Sequence, residues 1–327
     1  MTGIRRPFTD EDYAAVIAVV HAIQPDTSTD EVELRHRDAT RDPSLFFERW
    51  VWEEAGEVVA YYTLTHMDWM FHPDRYYASL MVRPDARGRG IGTTLYEAVR
   101  ERLRERNALS LMMQTRDDWT ESLRFLEQRG HVPGNREVIS TLDLTTFDPT
   151  RFPGTEERAA EAGVKILSYP ELEADPDRDL KLWEFDKIVG ADMPMPGEYT
   201  VPPFETYRER YLRGPKFYPE GFLIAVDEDG GYAGISLLHF GRIQGRLETG
   251  FTGVRREFRG KGVATALKVK VLSAAKAANY NEVRTGNDST NDAMLGINRR
   301  LGFVPLPAWV DYALEPLPAL AKREGGV

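Results

Sequence analysis

The sequence predicts an α/β protein made of two tandem copies of one domain, each a mixed sheet flanked by helices. Two observations carry this reading. The stretch Arg87-Gly88-Arg89-Gly90-Ile91-Gly92-Thr93 returns as Arg259-Gly260-Lys261-Gly262-Val263-Ala264-Thr265, an offset of 172, and Gly130 returns as Gly302 at that offset. In both copies a strand-like run (Leu80, Met81, Val82; Thr252, Gly253, Val254) enters the glycine-rich turn and a helical pattern leaves it. Two points at one offset mean an internal duplication with no net gap between them.

The elements follow in order. Residues 10–23 read as a helix with Val16, Val19, Val20 and Ile23 on one face. Residues 50–54 and 58–65 flank Ala55-Gly56-Glu57 as a hairpin, and residues 76–82 are the strand before the first turn. After the turn, Ile91, Leu95, Val99 and Leu103 recur every fourth position, as do Val263, Leu267, Val271 and Ala275, so this stripe is core. Residues 109–113 and 282–285 fit the next strand of each copy, a helix follows each, and residues 136–144 fit the strand that closes the first domain. Residues 145–163 read as a polar connector with a short helix capped by Thr155 and stopped by Gly163, and residues 164–168 restart the pattern. This gives an N-terminal domain at residues 1–150 and a C-terminal domain at residues 151–327. The proline-rich residues 189–207 cannot be one continuous helix.

At 327 residues and 42% hydrophobic content the chain can build two cores of ordinary size. The absence of cysteine removes disulfides, thiolate metal sites and a cysteine acyl-enzyme together. The six histidines form no pair at ligand spacing, so no metal is expected. A net charge of −10 argues against a nucleic-acid partner and mildly favours a cationic amine. The first strand-like run lies at residues 3–6, and the longest apolar segment, residues 14–20, is too short to cross a bilayer. A soluble cytoplasmic protein without a membrane partner, monomer or homodimer, is the expectation.

A glycine-rich turn at the start of a helix points unpaired N–H groups at one spot, and their partial positive charge favours an anion. Either copy alone is compatible with an ordinary strand-to-helix turn; two copies in register favour a pyrophosphate cradle. The dinucleotide fingerprint GxGxxG is absent from both copies, which argues against NAD.

The pattern resembles the (Arg/Gln)xxGx(Gly/Ala) signature of the GNAT acyltransferase superfamily, met by Arg87, Gly90 and Gly92 and again by Arg259, Gly262 and Ala264. Asn291, Asn298, Leu301, Gly302 and Phe303 stand where its members carry an N…(Y)..LGF helix and turn, and the likeness is greatest to tandem-domain members of the mycothiol synthase type. The resemblance implies that Leu80 to Val82 with Arg87 to Thr93, and Thr252 to Val254 with Arg259 to Thr265, form coenzyme loops for acetyl-CoA used as co-substrate. It also implies that residues 189–207 lie beside the acceptor pocket, where a plain surface loop is the alternative.

The copies differ in chemistry. Glu248, Asn291 and Asn298 face Tyr76, Trp119 and Leu126 at the common offset, so the first copy lacks each polar candidate. Glu248 stands six residues before Val254, where several family members carry their general base, although a strand glutamate by itself reads as solvated surface. Asn291 matches an asparagine near the coenzyme and equally suits a helix N-cap. Asn298 occupies the place of a tyrosine that protonates the leaving thiolate in many members, so the acid is open, with water or Tyr312 as candidates. The resemblance implies an N-acetyltransferase active in the C-terminal domain, transferring an acetyl group to a primary amine of a small molecule by direct attack in a ternary complex. A non-catalytic coenzyme-binding module and a transferase of longer acyl groups are the alternatives.

Overall fold

The computed structural model describes residues 3–193 and 197–315, so residues 194–196 of the proline-rich segment lie outside the described residues. The first repeat gives β1 (Ile4–Pro7), α1 (Tyr13–Ile23), α2 (Glu31–Ala39), β2 (Phe47–Glu54), β3 (Glu57–Thr65), β4 (Arg75–Val82), α3 (Ile91–Glu105), β5 (Ser110–Arg116), α4 (Thr120–Glu127) and β6 (Val132–Asp143). The second gives α5 (Thr155–Glu161), β7 (Val164–Ser168), α6 (Arg178–Gly190), α7 (Phe204–Tyr207), β8 (Phe217–Asp227), β9 (Tyr232–Phe240), β10 (Arg246–Val254), α8 (Val263–Ala277), β11 (Glu282–Asp288), α9 (Asp292–Leu301), β12 (Val304–Pro305) and β13 (Trp309–Leu314). Among the described residues no helix is long and apolar enough to cross a membrane.

Two compact units result, and neither is one repeat. The first comprises Met1–Thr27, Pro43–Arg136 and Trp309–Val327; the second comprises Ser28–Asp42 and Glu137–Ala308. The sheet of the first unit runs β1-β2-β3-β4-β5-β13, and that of the second runs β6-β11-β10-β9-β8-β7 with β12 beside β6. Neighbours are antiparallel except β4–β5 and β10–β11, which are parallel. Each unit is therefore a mixed sheet flanked by helices, as the sequence predicts.

The domain division at residue 150 is not where the units divide. Residues 136–144, expected to close the first sheet, instead pair with β11 in the second unit, from Glu137↔Asp288 to Asp143↔Glu282. Their counterpart at the repeat offset, β13, pairs with β5 in the first unit, from Trp309↔Arg116 to Leu314↔Leu111. The reason is that ladder hydrogen bonds are made by backbone and ignore which repeat a strand comes from. Both strands also bury alternate side chains: Val310, Tyr312 and Leu314 in β13, Ser140 and Leu142 in β6. Either strand satisfies the local pattern of either sheet.

The connector at residues 145–163 is likewise packed rather than loose. Phe147, Thr155 and Ala159 are buried, Phe147 and Ala159 in the core under α8, and Lys276 Nζ donates to the carbonyls of Thr145 at 3.1 Å and Phe147 at 2.5 Å. Its helix starts one residue after the N-cap, which is Gly154 in place of Thr155. Helix α2 is an element without a sequence-level signal beyond its cap. It buries one apolar residue, Leu34, and Asp30 accepts from Glu33 N at 2.8 Å. It contributes to the second unit although it lies in the first repeat.

Leu142→Ala is expected to remove about 2–5 kcal/mol from the second unit, whose core contains Leu142, although the residue precedes the sequence boundary. Denaturation followed through Trp183, with the other tryptophans replaced, reads that unit alone. A fragment ending at residue 150 should fail to fold, since β6 loses β11, β5 loses β13 and α2 loses the rest of the unit it belongs to.

Candidate functional site

The site of the second unit starts at a fork. Strands β10 and β11 pair over three positions only, Arg246↔Glu282, Leu247↔Val283 and Glu248↔Arg284, after which β10 continues to Val254 unpaired on that side. Its register against β9 slips between Thr249 and Phe251, a bulge at Gly250 that bends the strand away. Arg255 N donates to Ala233 O at 2.9 Å on the β9 side. By alternation along the strand, the N–H groups of Thr252 and Val254 face the fork and that of Gly253 faces β9. The donors on the open side of β10 are thus those of Thr252 and Val254. Gly253 has a different constraint: a Cβ there would lie 2.6 Å from Val189 Cγ1 and 2.5 Å from the Phe251 ring. Thr252 Oγ1 bonds Ser236 Oγ at 2.9 Å.

The cradle follows the strand end. Gly262 caps α8 at φ 85° with no side-chain cap bond, so the first-turn N–H groups of Val263, Ala264 and Thr265 point outward; Gly260 stands at φ 74°. Arg259 Nε donates 2.8 Å to Val254 O, which ties the turn back to the strand. Its Nη2 donates 2.5 Å to Asp192 Oδ2, and Arg256 Nε reaches the same carboxylate at 3.0 and 2.9 Å while its Nη2 also bonds it. The hydrogen bonds from Arg256 first, then Arg259, hold the Asp192 carboxyl at about 2. Lys261 lies over the Phe258 ring.

Glu248 sits at the vertex of the fork. Leu247 and Val254 belong to the core under α8, whereas Phe251 packs with the α6 cluster, so Glu248 projects to the α6 face. Its side chain is 16% exposed, with Arg246 Nε 3.0 Å from Oε1. Burial pushes its carboxyl above the ordinary value, against the pull of Arg246, Arg284 and Lys216. Its cross-strand partner is His239, whose imidazole burial holds below its ordinary value. A Cβ on Gly241 would meet Glu248 Oε1 and Ser28 Cβ, both at 3.4 Å. Ser28 O accepts from Arg242 N, and Lys216 Nζ lies 3.3 Å from Glu33 Oε2. The α2 segment therefore walls this face, a contact that no local pattern in the sequence signals.

Of the two asparagines, Asn291 caps α9, with Oδ1 accepting from Met294 N at 3.1 Å. Asn298 is buried, and its Nδ2 donates 2.6 Å to Asn287 Oδ1 on β11. Tyr312 belongs to the first unit, where its OH donates 3.0 Å to Glu127 Oε1.

The first unit repeats the frame. Strands β4 and β5 pair only from Arg75↔Ser110 to Tyr77↔Met112, Arg83 N donates to Val59 O, and the N–H groups of Leu80 and Val82 face the fork while that of Met81 faces β3. Gly88 and Gly90 have φ 73° and 83°, Gly90 caps α3 without a side-chain bond, and Arg87 Nε donates 3.2 Å to Val82 O. A Cβ on Gly92 would pack on Val82 and Phe125, Ile91 is core, Arg89 pairs with Glu54 at 2.8 Å, and Thr93 Oγ1 accepts from Arg129 at 2.9 Å. At the vertex, however, Tyr76 is buried, donating to Pro73 O and accepting from Arg106 Nε. Trp119 packs edge-on to Trp309 at 5.3 Å, and Leu126 is core.

Comparison with known proteins gives the family and the fold. The profile of the acetyltransferase (GNAT) family matches residues 15–131 and again 184–303, once per repeat and over more than half of the chain. The chain is similar to mycothiol acetyltransferases of Mycolicibacterium vanbaalenii, 26% identical over 73% of this chain and 74% of that protein, and of Frankia casuarinae, 26% identical over 80% and 73%. Its fold is similar to a GCN5-related N-acetyltransferase from Sphaerobacter thermophilus, TM-score 0.71 at 22% identity over 97% of both chains. A tandem GNAT protein from the clavulanic acid biosynthesis pathway superposes at TM-score 0.71, 19% identical over 97% of this chain and 100% of that one.

Asn291→Ala should cost about 1 kcal/mol through loss of the α9 cap, and Asn291→Ser should recover most of it, as read by chemical denaturation.

Proposed function

The chain belongs to the acetyltransferase (GNAT) family, and from that premise we propose that its second unit transfers the acetyl group of acetyl-CoA to a primary amine of a small molecule, by direct attack and without an acyl-enzyme. The observation that carries this reading is the placement of a mostly buried carboxylate, Glu248, at the vertex of a strand fork whose far end is an open phosphate-type cradle. The cradle fits a pyrophosphate: its helix start leaves N–H groups uncapped, and a Cβ on Gly260 would meet nothing within 4 Å. Acetyl-CoA, when bound, supplies the activated thioester.

The residues then have these parts. The turn Arg259 to Thr265 receives the phosphates, and the N–H groups of Thr252 and Val254 are donors aimed into the fork, suited to polarise an acyl carbonyl. Glu248 takes the proton of the attacking ammonium, directly or through water. An alkyl amine of pKa ~10.4 costs about 4.6 kcal/mol to deprotonate at pH 7, whereas reprotonating a thiolate of pKa ~8.5 involves only about 2 kcal/mol. Base help outweighs acid help, so a site with Asn298 in the tyrosine position and Tyr312 committed to the other unit retains its larger advantage, with water as the thiolate's proton source. The first unit keeps the cradle but replaces the vertex carboxylate by Tyr76, whose hydroxyl is already bonded; it is the coenzyme-binding or structural copy. The name of the curated relatives places a mycothiol-type acceptor in the panel of amines to be tried.

Glu248→Gln keeps shape and hydrogen bonding but not basicity, so turnover should fall by about 10²–10³ with coenzyme A affinity retained. A thiol-release assay on a panel of amines checks this, and near wild-type turnover would remove Glu248 from the mechanism. The acid limb of kcat/KM should lie at a pH above that of an ordinary carboxylate, because burial raises the group and less of it is ionised at any given pH. Arg246→Gln removes the nearest opposing cation and should move that limb to still higher pH.

A further inference from the structure

The two cradles are built alike except for what holds their arginine. In both, the guanidinium Nε donates to the carbonyl that ends the strand, at 3.2 Å from Arg87 to Val82 and 2.8 Å from Arg259 to Val254. In the first, Arg87 Nη1 also approaches Glu121 at 3.7 Å, a residue whose side chain is 80% exposed. In the second, Asp192 bonds Arg259 and Arg256 together and is only 11% exposed. Pro84 stands at the offset position of Arg256, so the first cradle cannot form this cluster. Asp192 comes from the chain leaving α6, two residues beyond Gly190, and Val189 of that helix abuts Gly253 at the fork.

We propose that Asp192 is a resident anion of the second cradle, occupying the Nη edge of Arg259 that a coenzyme phosphate takes, and that it sets coenzyme affinity low enough for turnover. The inference rests on the coenzyme reading given above. Its physical basis is that Arg259 does not need Asp192 for its position: the bond to Val254 O holds the arm, as the bond to Val82 O holds Arg87 in a cradle without such a carboxylate. Asp192 thus contributes a competing negative charge, and its removal releases the edges of Arg256 and Arg259 that it now holds. Because Asp192 leads directly out of α6, its exchange for a phosphate also changes how that helix end is held. Coenzyme occupancy is then coupled to the face that carries Glu248.

The test is calorimetric titration of the full-length protein with coenzyme A over a range of potassium chloride. Asp192→Asn should tighten one binding event by about three- to tenfold and steepen its salt dependence, while a second event, if the first cradle also binds, stays fixed. Arg256→Gln, which leaves the carboxylate to Arg259 alone and removes a cation, should move the same event in the opposite direction; it also serves if the first variant does not fold. Unchanged or weaker binding in Asp192→Asn, or a shift of equal sign in the two variants, overturns the proposal and leaves the coenzyme site standing. Absence of coenzyme A binding in the wild-type protein overturns the coenzyme reading and this inference with it.

Discussion

The chemistry available to this protein depends on a parallel strand pair that stops pairing. Three residue pairs join β10 to β11, and the last of them places Glu248 opposite Arg284. Beyond it, β10 keeps its ladder to β9 and so presents the Thr252 and Val254 N–H groups on its open side. Such donors would be costly if buried without partners; opening the fork exchanges that penalty for a binding edge. The bulge at Gly250 adjusts the strand so that Glu248 and Phe251 share the α6 face although they stand three positions apart. Glu248, the open-side N–H groups and the glycine turn are therefore consecutive features of a single strand and the helix it feeds.

The same construction in the first unit shows how little of it is specific to catalysis. The fork between β4 and β5, the uncapped start of α3 and the arginine tied to the strand end are all present. What differs is the filling of the vertex, where Tyr76 is locked between Pro73 and Arg106 and the surroundings are aromatic. A duplicated scaffold keeps its backbone economy because both copies must solve the same hydrogen-bond problem at the helix start. Its side chains at the vertex are free to diverge, since packing tolerates a tyrosine where acid–base chemistry would not.

Both units also borrow from the other repeat. Strand β6 closes the second sheet and β13 the first, and the second unit takes α2 as well. Burial in the second unit consequently includes Leu142 and Leu144 from before the sequence boundary, and burial in the first includes Val310 and Tyr312 from near the end of the chain. The polar face of Glu248 is walled by Ser28 in the same way. A point change in one repeat thus acts on the stability or the site of the other unit.

The amino-acid sequence by itself determined the repeat, the strand–turn–helix around each cradle, the core stripe of α3 and α8, and the inequality between Glu248 and Tyr76. Each of these is encoded locally: glycine at positive φ, apolar residues every fourth position, a carboxylate at a fixed distance from the turn. Only the tertiary structure decided which sheet residues 136–144 join, because an alternating strand fits any edge that offers a ladder. It also decided that Tyr312 bonds Glu127 in the first unit, that Asp192 reaches the cradle arginines, and that α2 serves the second unit. Those outcomes depend on contacts between residues far apart in sequence, where charge and hydrophobic pattern state what each segment needs but not which partner supplies it.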